Sequence, residues 1–161
     1  KGILLCYHGT RDAKGINDTK KLTNIFKQGN TEYLVKTGYL EITKPTIESQ
    51  LNFFSKKKIN TVNVFPAMIF SGDHVVKDIP KIISKFKKNN KKIHVSLGQP
   101  LFDKNHFLKL IKINLSKFKY NKNKACLIVI ASNTASATAK KQINIIRTNL
   151  ALDFKSTNSL I

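Results

Sequence analysis

The chain has 161 residues, the length of one domain or of one domain and part of another. Hydrophobic residues make up 41% and charged residues 24%, which excludes a disordered or fibrous chain, and no apolar run approaches the roughly 20 residues that span a bilayer. Cys6 and Cys126 stand alone in apolar segments, which excludes a disulfide framework or a zinc knuckle and indicates a reducing compartment. We therefore expect a cytoplasmic protein.

The net charge of +20 admits two interpretations. A basic surface recruits polyanions such as nucleic acid. However, 27 of the 29 basic residues are lysines, whereas recognition of bases and phosphates relies on the arginine guanidinium. Lysine pairs such as Lys87 and Lys88 fall near predicted helix C-termini, where cations favour the helix dipole. We therefore expect solvated lysines, with neither nucleic acid nor a membrane as partner.

Short apolar runs alternate with segments of helical period along the chain, a pattern typical of parallel strands joined by crossover helices. Strands are predicted at residues 3–7, 33–40, 61–65 and 92–97. Helices are predicted at residues 13–28 and 104–118, with two others opening at Pro45 and at a cap on Asp78. In the first helix, Leu22, Ile25 and Phe26 are expected to face inward. The sequence predicts an α/β lobe whose four-stranded parallel sheet is flanked by helices.

The pattern restarts after a polar linker at residues 120–124. A strand is predicted at residues 126–130 and a helix at residues 138–150. Residues 3–12 and 127–136 both read as strand, turn and helix start, with Thr10 and Thr134 at equivalent places. Because one strand and one helix cannot bury their own faces, residues 125–161 are expected to begin a second, incomplete lobe after a first lobe at residues 1–119. We therefore expect a fragment of a longer protein.

Three ligand-type side chains follow successive predicted strands. His8, Glu41 and His74 are each separated from the next by 33 residues. Parallel strands bring their carboxyl ends to one sheet edge, and two imidazoles with one carboxylate suit a borderline divalent metal. If they share one ion, the two ring nitrogens should lie about 3–5 Å apart. An isolated loop histidine or glutamate more often has an ordinary backbone or solvent partner, so both interpretations stay open at this point.

Four segments resemble the successive signatures of the sirohydrochlorin chelatases, compact class II chelatases that insert cobalt or iron into a modified tetrapyrrole. The segments are GILLCYHGTRD, GYLEITKPTIESQL, VFPAMIFSGDHVVKDIP and LGQPLF. The resemblance covers about residues 2–113, and its specific part is HGTRD followed by the GDHVVKDIP loop. The predicted second lobe resembles the start of the C-terminal half of the long, two-lobed members. Ser132 and Asn133 stand where His8 and Gly9 stand in the first lobe, so the second lobe carries no matching ligand.

The resemblance implies that His8 and His74 face the metal, with Glu41 beside them, and that these three are the catalytic residues. It implies sirohydrochlorin and a divalent metal, cobalt or iron, as substrates in cobalamin or siroheme synthesis, without an organic cofactor. The alternative is a metal or tetrapyrrole carrier with little turnover. In either case, an intramolecular second lobe or a second copy of the chain is the expected protein partner.

The resemblance also implies a set of substrate-binding positions in the two motif loops: Gly9, Arg11, Ser71, Gly72 and Asp73. Arg11 either pairs with a substrate carboxylate or forms a structural ion pair with Asp12 or Asp78. Glycines at positions 9 and 72 permit tight turns and the approach of a flat macrocycle. Asp73 either orients His74 or is exposed to solvent.

Overall fold

The structure is a computed structural model, and it describes residues 1–121, 128–131 and 134–151. The chain divides into two compact units. The first unit comprises Lys1–Ile69 and His74–Leu101, and the second comprises Phe70–Asp73 and Phe102–Ile161. Within the described residues, no helix is both long and apolar enough to cross a bilayer.

The first unit is an α/β sheet. Its elements are β1 (Gly2–Tyr7), α1 (Ala13–Gln28), β2 (Leu34–Tyr39), α2 (Ile47–Lys56), β3 (Thr61–Pro66), α3 (Ile79–Asn89) and β4 (His94–Leu97). The strands pair in the order β2-β1-β3-β4, and every pairing is parallel. The predicted α/β class and four-stranded parallel sheet are confirmed. All strand ends lie within two residues of the predicted ones.

Polar side chains set the starts of α1 and α2. The Asp12 carboxylate accepts hydrogen bonds from the backbone N–H groups of Lys14 and Gly15, so α1 begins where predicted. The second helix begins two residues after Pro45, because the Thr46 hydroxyl accepts a hydrogen bond from the N–H of Ser49 and so acts as the cap.

The sheet buries a different set of side chains on each face. One face packs against α2 and α3 around Leu4, Val64, Phe54 and Ile79, each 0% exposed. On the other face, Ile3, Leu5, Tyr7, Val35 and Tyr39 form a buried cluster with Phe26 of α1 packed against it. The predicted flanking of the sheet by helices on both faces is therefore present.

The predicted inward face of α1 is wrong at two positions. Leu22 is 56% exposed and Ile25 is 66% exposed. The helix presents threonine hydroxyls to the sheet instead: Thr23 Oγ1 lies 2.7 Å from Thr37 Oγ1, and Thr19 Oγ1 lies 2.8 Å from the Tyr39 hydroxyl. Because buried hydroxyls on the sheet need hydrogen-bond partners, a polar stripe of α1 packs inward in place of the more hydrophobic one.

The second unit is helical in its described part. Its helices are α4 (Lys104–Leu115) and α5 (Ala137–Ala151). They pack around Leu108, Ile146 and Leu150, with Phe102 and Phe107 against this cluster. The helix predicted at 104–118 ends three residues early, because a turn follows Leu115, and α5 matches its prediction within one residue at each end.

The fifth strand predicted at residues 126–130 is not confirmed. Residues 128–130 carry no regular secondary structure, and residues 126–127 lie outside the described residues. Ser132 and Asn133 also lie outside them. The boundaries of a first lobe, a linker and a second lobe therefore stay predictions.

Candidate metal site

The three ligand-type residues lie at the carboxyl edge of the sheet in the first unit. His8 directly follows β1, and Glu41 lies two residues beyond β2. His74 lies in the connection after β3 and opens a five-residue π-helical turn, His74–Asp78, which continues into α3. Parallel pairing of β2, β1 and β3 brings these three connections to one edge.

The donor atoms of the three side chains converge. The Nε2 atoms of His8 and His74 lie 3.0 Å apart. Glu41 Oε1 lies 3.6 Å from the Nε2 of His74 and 4.0 Å from the Nε2 of His8. In the part of the chain that the structure describes, this is the only group of three His, Cys, Asp or Glu residues with ligand atoms all within 4.8 Å of one another. The site is open, since 49% of the His8 side chain and 37% of the His74 side chain are exposed.

Hydrogen bonds join the loop that carries His8 to the loop that carries Glu41. The N–H of Glu41 donates to the His8 carbonyl oxygen at 3.0 Å. Thr43 Oγ1 donates to the Thr10 carbonyl oxygen at 2.8 Å and accepts from the Thr10 N–H at 2.9 Å. These three hydrogen bonds therefore hold the backbone of the His8 loop against the backbone of the Glu41 loop.

Gly9 makes this close approach of the two loops possible. Its φ is +104°, a conformation that residues with a Cβ rarely adopt. A Cβ at this position would also overlap the Glu41 carbonyl oxygen. The backbone conformation and the close contact with Glu41 therefore explain why position 9 is a glycine. The role of Gly9 in substrate binding stays a prediction.

Asp78 lies next to the site, and the sequence analysis did not predict its contact with His74. It was predicted to cap α3, and this prediction is wrong: Asp78 has helical φ and ψ of −73° and −50° and makes no side-chain cap hydrogen bond. The π-helical turn runs directly into α3, so this helix has no open first turn to cap. The carboxylate instead lies 2.7 Å from Nδ1 of His74. The i, i+4 spacing of His74 and Asp78 was the signal that could have revealed this pair.

Arg11 is exposed, and no described residue forms an ion pair with it. The two carboxylates considered as structural partners are engaged elsewhere, that of Asp12 at the start of α1 and that of Asp78 on His74. The guanidinium is thus free to meet a ligand, and its role as a substrate-binding residue stays a prediction.

The other predicted binding residues, Ser71, Gly72 and Asp73, belong to the second unit. Ser71 is tied into that unit: its N–H donates to Gln142 Oε1 at 2.9 Å, and its carbonyl oxygen accepts from Ser136 Oγ at 2.7 Å. Gly72 has open space where a Cβ would stand. The roles of these three residues in substrate binding stay predictions.

Cys6 is not part of the metal site, although it lies two residues before His8. It is 0% exposed and packs in the core between the sheet and α2 and α3. Burial raises the pKa of its thiol far above the ordinary value, so the metal-binding thiolate form is disfavoured. Burial likewise raises the pKa of the Tyr7 hydroxyl.

Comparison with solved structures supports the fold. The sirohydrochlorin chelatase SirB from Bacillus subtilis subspecies spizizenii, in complex with cobalt, superposes with a TM-score of 0.84 at 20% identity, over 99% of this chain and 66% of that chain. SirB from Bacillus subtilis with Fe3+ gives a TM-score of 0.86 at 19% identity, over 99% of this chain and 64% of that one. The chain therefore shares their fold and spans about two thirds of their length.

Comparison of sequences identifies the family. The sirohydrochlorin cobaltochelatase of Saccharolobus islandicus is 31% identical over 134 residues, which cover 76% of this chain and 98% of the relative. That of Methanococcoides burtonii is 27% identical over 108 residues, 62% of this chain and 82% of the relative. The sequence model of the CbiX family matches residues 2–117. The chain therefore belongs to the CbiX family of sirohydrochlorin chelatases.

Proposed function

We propose that the protein inserts a divalent metal ion into sirohydrochlorin and that His8, Glu41 and His74 are its catalytic residues. The observation that carries this proposal is the convergence of two imidazole Nε2 atoms and one carboxylate oxygen at the carboxyl edge of the sheet. Cobalt is the first choice of metal, because the curated relatives are named cobaltochelatases. Iron is the alternative, since one related structure holds Fe3+. Cobalt would place the reaction in cobalamin synthesis and iron in siroheme synthesis.

The donor set suits a metal that is delivered rather than retained. Two imidazole nitrogens and one carboxylate oxygen are ligands that Co2+ and Fe2+ both accept. Three protein ligands leave further coordination positions open, as in sites where the metal must meet a substrate. The half-exposed side chains of His8 and Glu41 give a flat tetrapyrrole access to an ion held there.

Insertion exchanges one divalent cation for two protons of the tetrapyrrole. Two pyrrole N–H bonds break and two protons leave, while the metal exchanges its protein ligands for the four nitrogens of the macrocycle. The imidazoles of His8 and His74 and the carboxylate of Glu41 are the groups at the site that can accept them. An ion bound to these side chains and a proton held by them compete for the same lone pairs, so transfer of the metal to the substrate frees the acceptors.

Arg11 is the proposed contact for an acidic edge of the substrate. It lies three residues after His8, is exposed, and has no ion-pair partner among the described residues. Its guanidinium can hold a carboxylate through two parallel hydrogen bonds. Arg11→Ala is expected to raise the KM for sirohydrochlorin while Co2+ binding to the free protein stays unchanged. An equal fall in Co2+ affinity would contradict this role.

The test of the proposed function is a metal-insertion assay, followed by the change in the absorption spectrum of sirohydrochlorin when Co2+ or Fe2+ is supplied. His8→Ala and His74→Ala are each expected to abolish insertion and leave the fold intact, because neither side chain belongs to the buried core. His106→Ala is the matched control: it removes the exposed imidazole of another aspartate–histidine pair, Asp103 with His106 at 2.7 Å, outside the group of three ligands.

Two outcomes would contradict the chelatase proposal. If the wild-type protein binds Co2+ through His8 and His74 but does not accelerate insertion, the protein is a carrier of metal or tetrapyrrole. If the double variant His8→Ala, His74→Ala inserts cobalt at the wild-type rate, the proposed catalytic residues are wrong.

A further inference from the structure

We infer that Asp78 is a positioning residue for the metal site: its carboxylate holds the His74 imidazole in the tautomer and orientation that point the Nε2 lone pair at the other two ligands. This inference rests on the proposed function, since it assigns Asp78 a task within that site. It adds a residue that is not one of the three ligands and that contacts one of them, His74, through the ring nitrogen Nδ1.

The geometry of the pair determines the tautomer. Asp78 Oδ2 lies 2.7 Å from Nδ1 of His74, the length of a charge-assisted hydrogen bond. An ionised carboxylate accepts hydrogen bonds and donates none, so the proton of the pair belongs to Nδ1. A neutral imidazole with its proton on Nδ1 carries its lone pair on Nε2. That Nε2 is the atom 3.0 Å from the His8 ring nitrogen and 3.6 Å from Glu41 Oε1.

The backbone between the two residues is anchored on both sides. His74 and Asp78 are the first and last residues of the π-helical turn. The residues that follow them, Val75 and Ile79, are buried at 6% and 0% exposure. Turns of this kind are rare and are frequently found at functional sites. The core therefore sets the distance between the imidazole and the carboxylate before any ligand binds.

The Asp78 carboxylate is not used as aspartates at helix starts usually are. Asp12 and Asp103 accept hydrogen bonds from backbone N–H groups at the starts of α1 and α4. Asp78 occupies the corresponding position before α3 and makes no such bond. Its hydrogen bond to His74 replaces the usual cap, which favours a role in the site over one in helix stability.

The two imidazoles differ in what holds their Nδ1 atoms. For His8 the neighbour is the neutral carbonyl oxygen of Gly9 at 3.1 Å, and for His74 it is the carboxylate of Asp78 at 2.7 Å. A carboxylate raises the electron-donating capacity of a ligating imidazole more than a carbonyl does. We therefore assign the stronger of the two metal contacts to His74 and attribute its strength to the carboxylate of Asp78.

The first measurement needs neither metal nor substrate. In a ¹⁵N-histidine-labelled sample at a pH well above the ordinary histidine pKa, the His74 ring signals are assigned by their absence in His74→Ala. The wild-type protein is expected to show a protonated Nδ1 and an unprotonated Nε2, and Asp78→Ala to shift the population toward protonation at Nε2. A wild-type His74 protonated on Nε2 would overturn the inference by itself, whether or not Asp78→Ala folds.

The second measurement is a Co2+ titration followed by visible absorption. Asp78→Ala is expected to weaken Co2+ binding about 10–100-fold. Asp78→Asn keeps an oxygen that can accept the same Nδ1–H bond and is expected to lose less than about tenfold. Asp103→Ala should bind Co2+ as the wild type does. Wild-type affinity in a folded Asp78→Ala, or an Asp78→Asn variant as weak as Asp78→Ala, would overturn the inference.

These measurements separate the inference from the proposed function. Dependence of the His74 tautomer and of Co2+ affinity on Asp78, in a protein that does not insert metal into sirohydrochlorin, would support the positioning role and refute the chelatase. Insertion by the wild type with an unchanged tautomer and Co2+ affinity in Asp78→Ala would support the chelatase and refute the positioning role.

Discussion

Replacing Thr43 by valine is expected to lower the free energy of unfolding by about 1–2 kcal/mol. Valine has nearly the shape of threonine, so the change removes the hydroxyl and little else. Two hydrogen bonds are lost, the one that Thr43 Oγ1 donates to the Thr10 carbonyl at 2.8 Å and the one that it accepts from the Thr10 N–H at 2.9 Å.

The magnitude follows from the number of bonds and their exposure. One intramolecular hydrogen bond stabilises a protein by about 0.5–1.5 kcal/mol, so two amount to about 1–3 kcal/mol. Thr10 and Thr43 are partly buried, and water can form part of the hydrogen bonding that the N–H and carbonyl groups of Thr10 lose in the variant. The expected value therefore lies in the lower part of that range.

The same change is expected to weaken Co2+ binding about tenfold, because these bonds hold the loop of His8 against the loop of Glu41. Urea denaturation gives the unfolding free energy, and a Co2+ titration gives the affinity. Thr43→Ser keeps the hydroxyl and is the matched control. If Thr43→Val matches Thr43→Ser within about 0.5 kcal/mol and binds Co2+ equally well, the two loops are held by something else and the reasoning is wrong.

Gly9→Ala is expected to destabilise the protein by about 1–3 kcal/mol in urea denaturation, because φ is +104° and a Cβ would overlap a neighbouring carbonyl oxygen; wild-type stability would contradict this. In a Cys126→Ser background, Cys6 is expected to resist a thiol reagent at pH 8 until urea unfolds the protein, because burial raises the pKa of its thiol; rapid labelling of the native protein would contradict this. Hydrogen bonds from the backbone and the ring of His106 lower the pKa of Asp103, so its contribution to stability is present above the ordinary aspartate pKa and is lost as the pH falls through the lowered value. Asp103→Asn is expected to reduce the loss of stability in acid, measured by urea denaturation across pH; an unchanged pH profile would contradict this.

The sequence by itself determined the fold class and the strands, because apolar runs and helical periods are local properties of the chain. It also placed His8, Glu41 and His74 together. That prediction rested on the rule that parallel strands end at one edge, on the one ligand-type residue that follows each of three successive strands, and on the resemblance of the two motif loops to those of chelatases. The structure puts their ligand atoms within 4.8 Å of one another.

Only the tertiary structure decided which polar groups hold these ligands in place. The partner of Asp78 could have been the start of α3 or a neighbouring side chain, and the π-helical turn directs it to His74. Thr10 and Thr43 meet across 33 residues because β1 and β2 are adjacent in the sheet, an adjacency that local periodicity does not specify.

The inward face of α1 was likewise decided by what it packs against. Hydrophobicity favoured burial of Leu22 and Ile25, but the sheet face opposite the helix carries the hydroxyls of Tyr7, Tyr39 and Thr37. Buried hydroxyls require hydrogen-bond partners, and the threonines of α1 supply them. A helix's own pattern shows which faces it can bury, whereas the polar groups of the surface opposite determine which face it does bury.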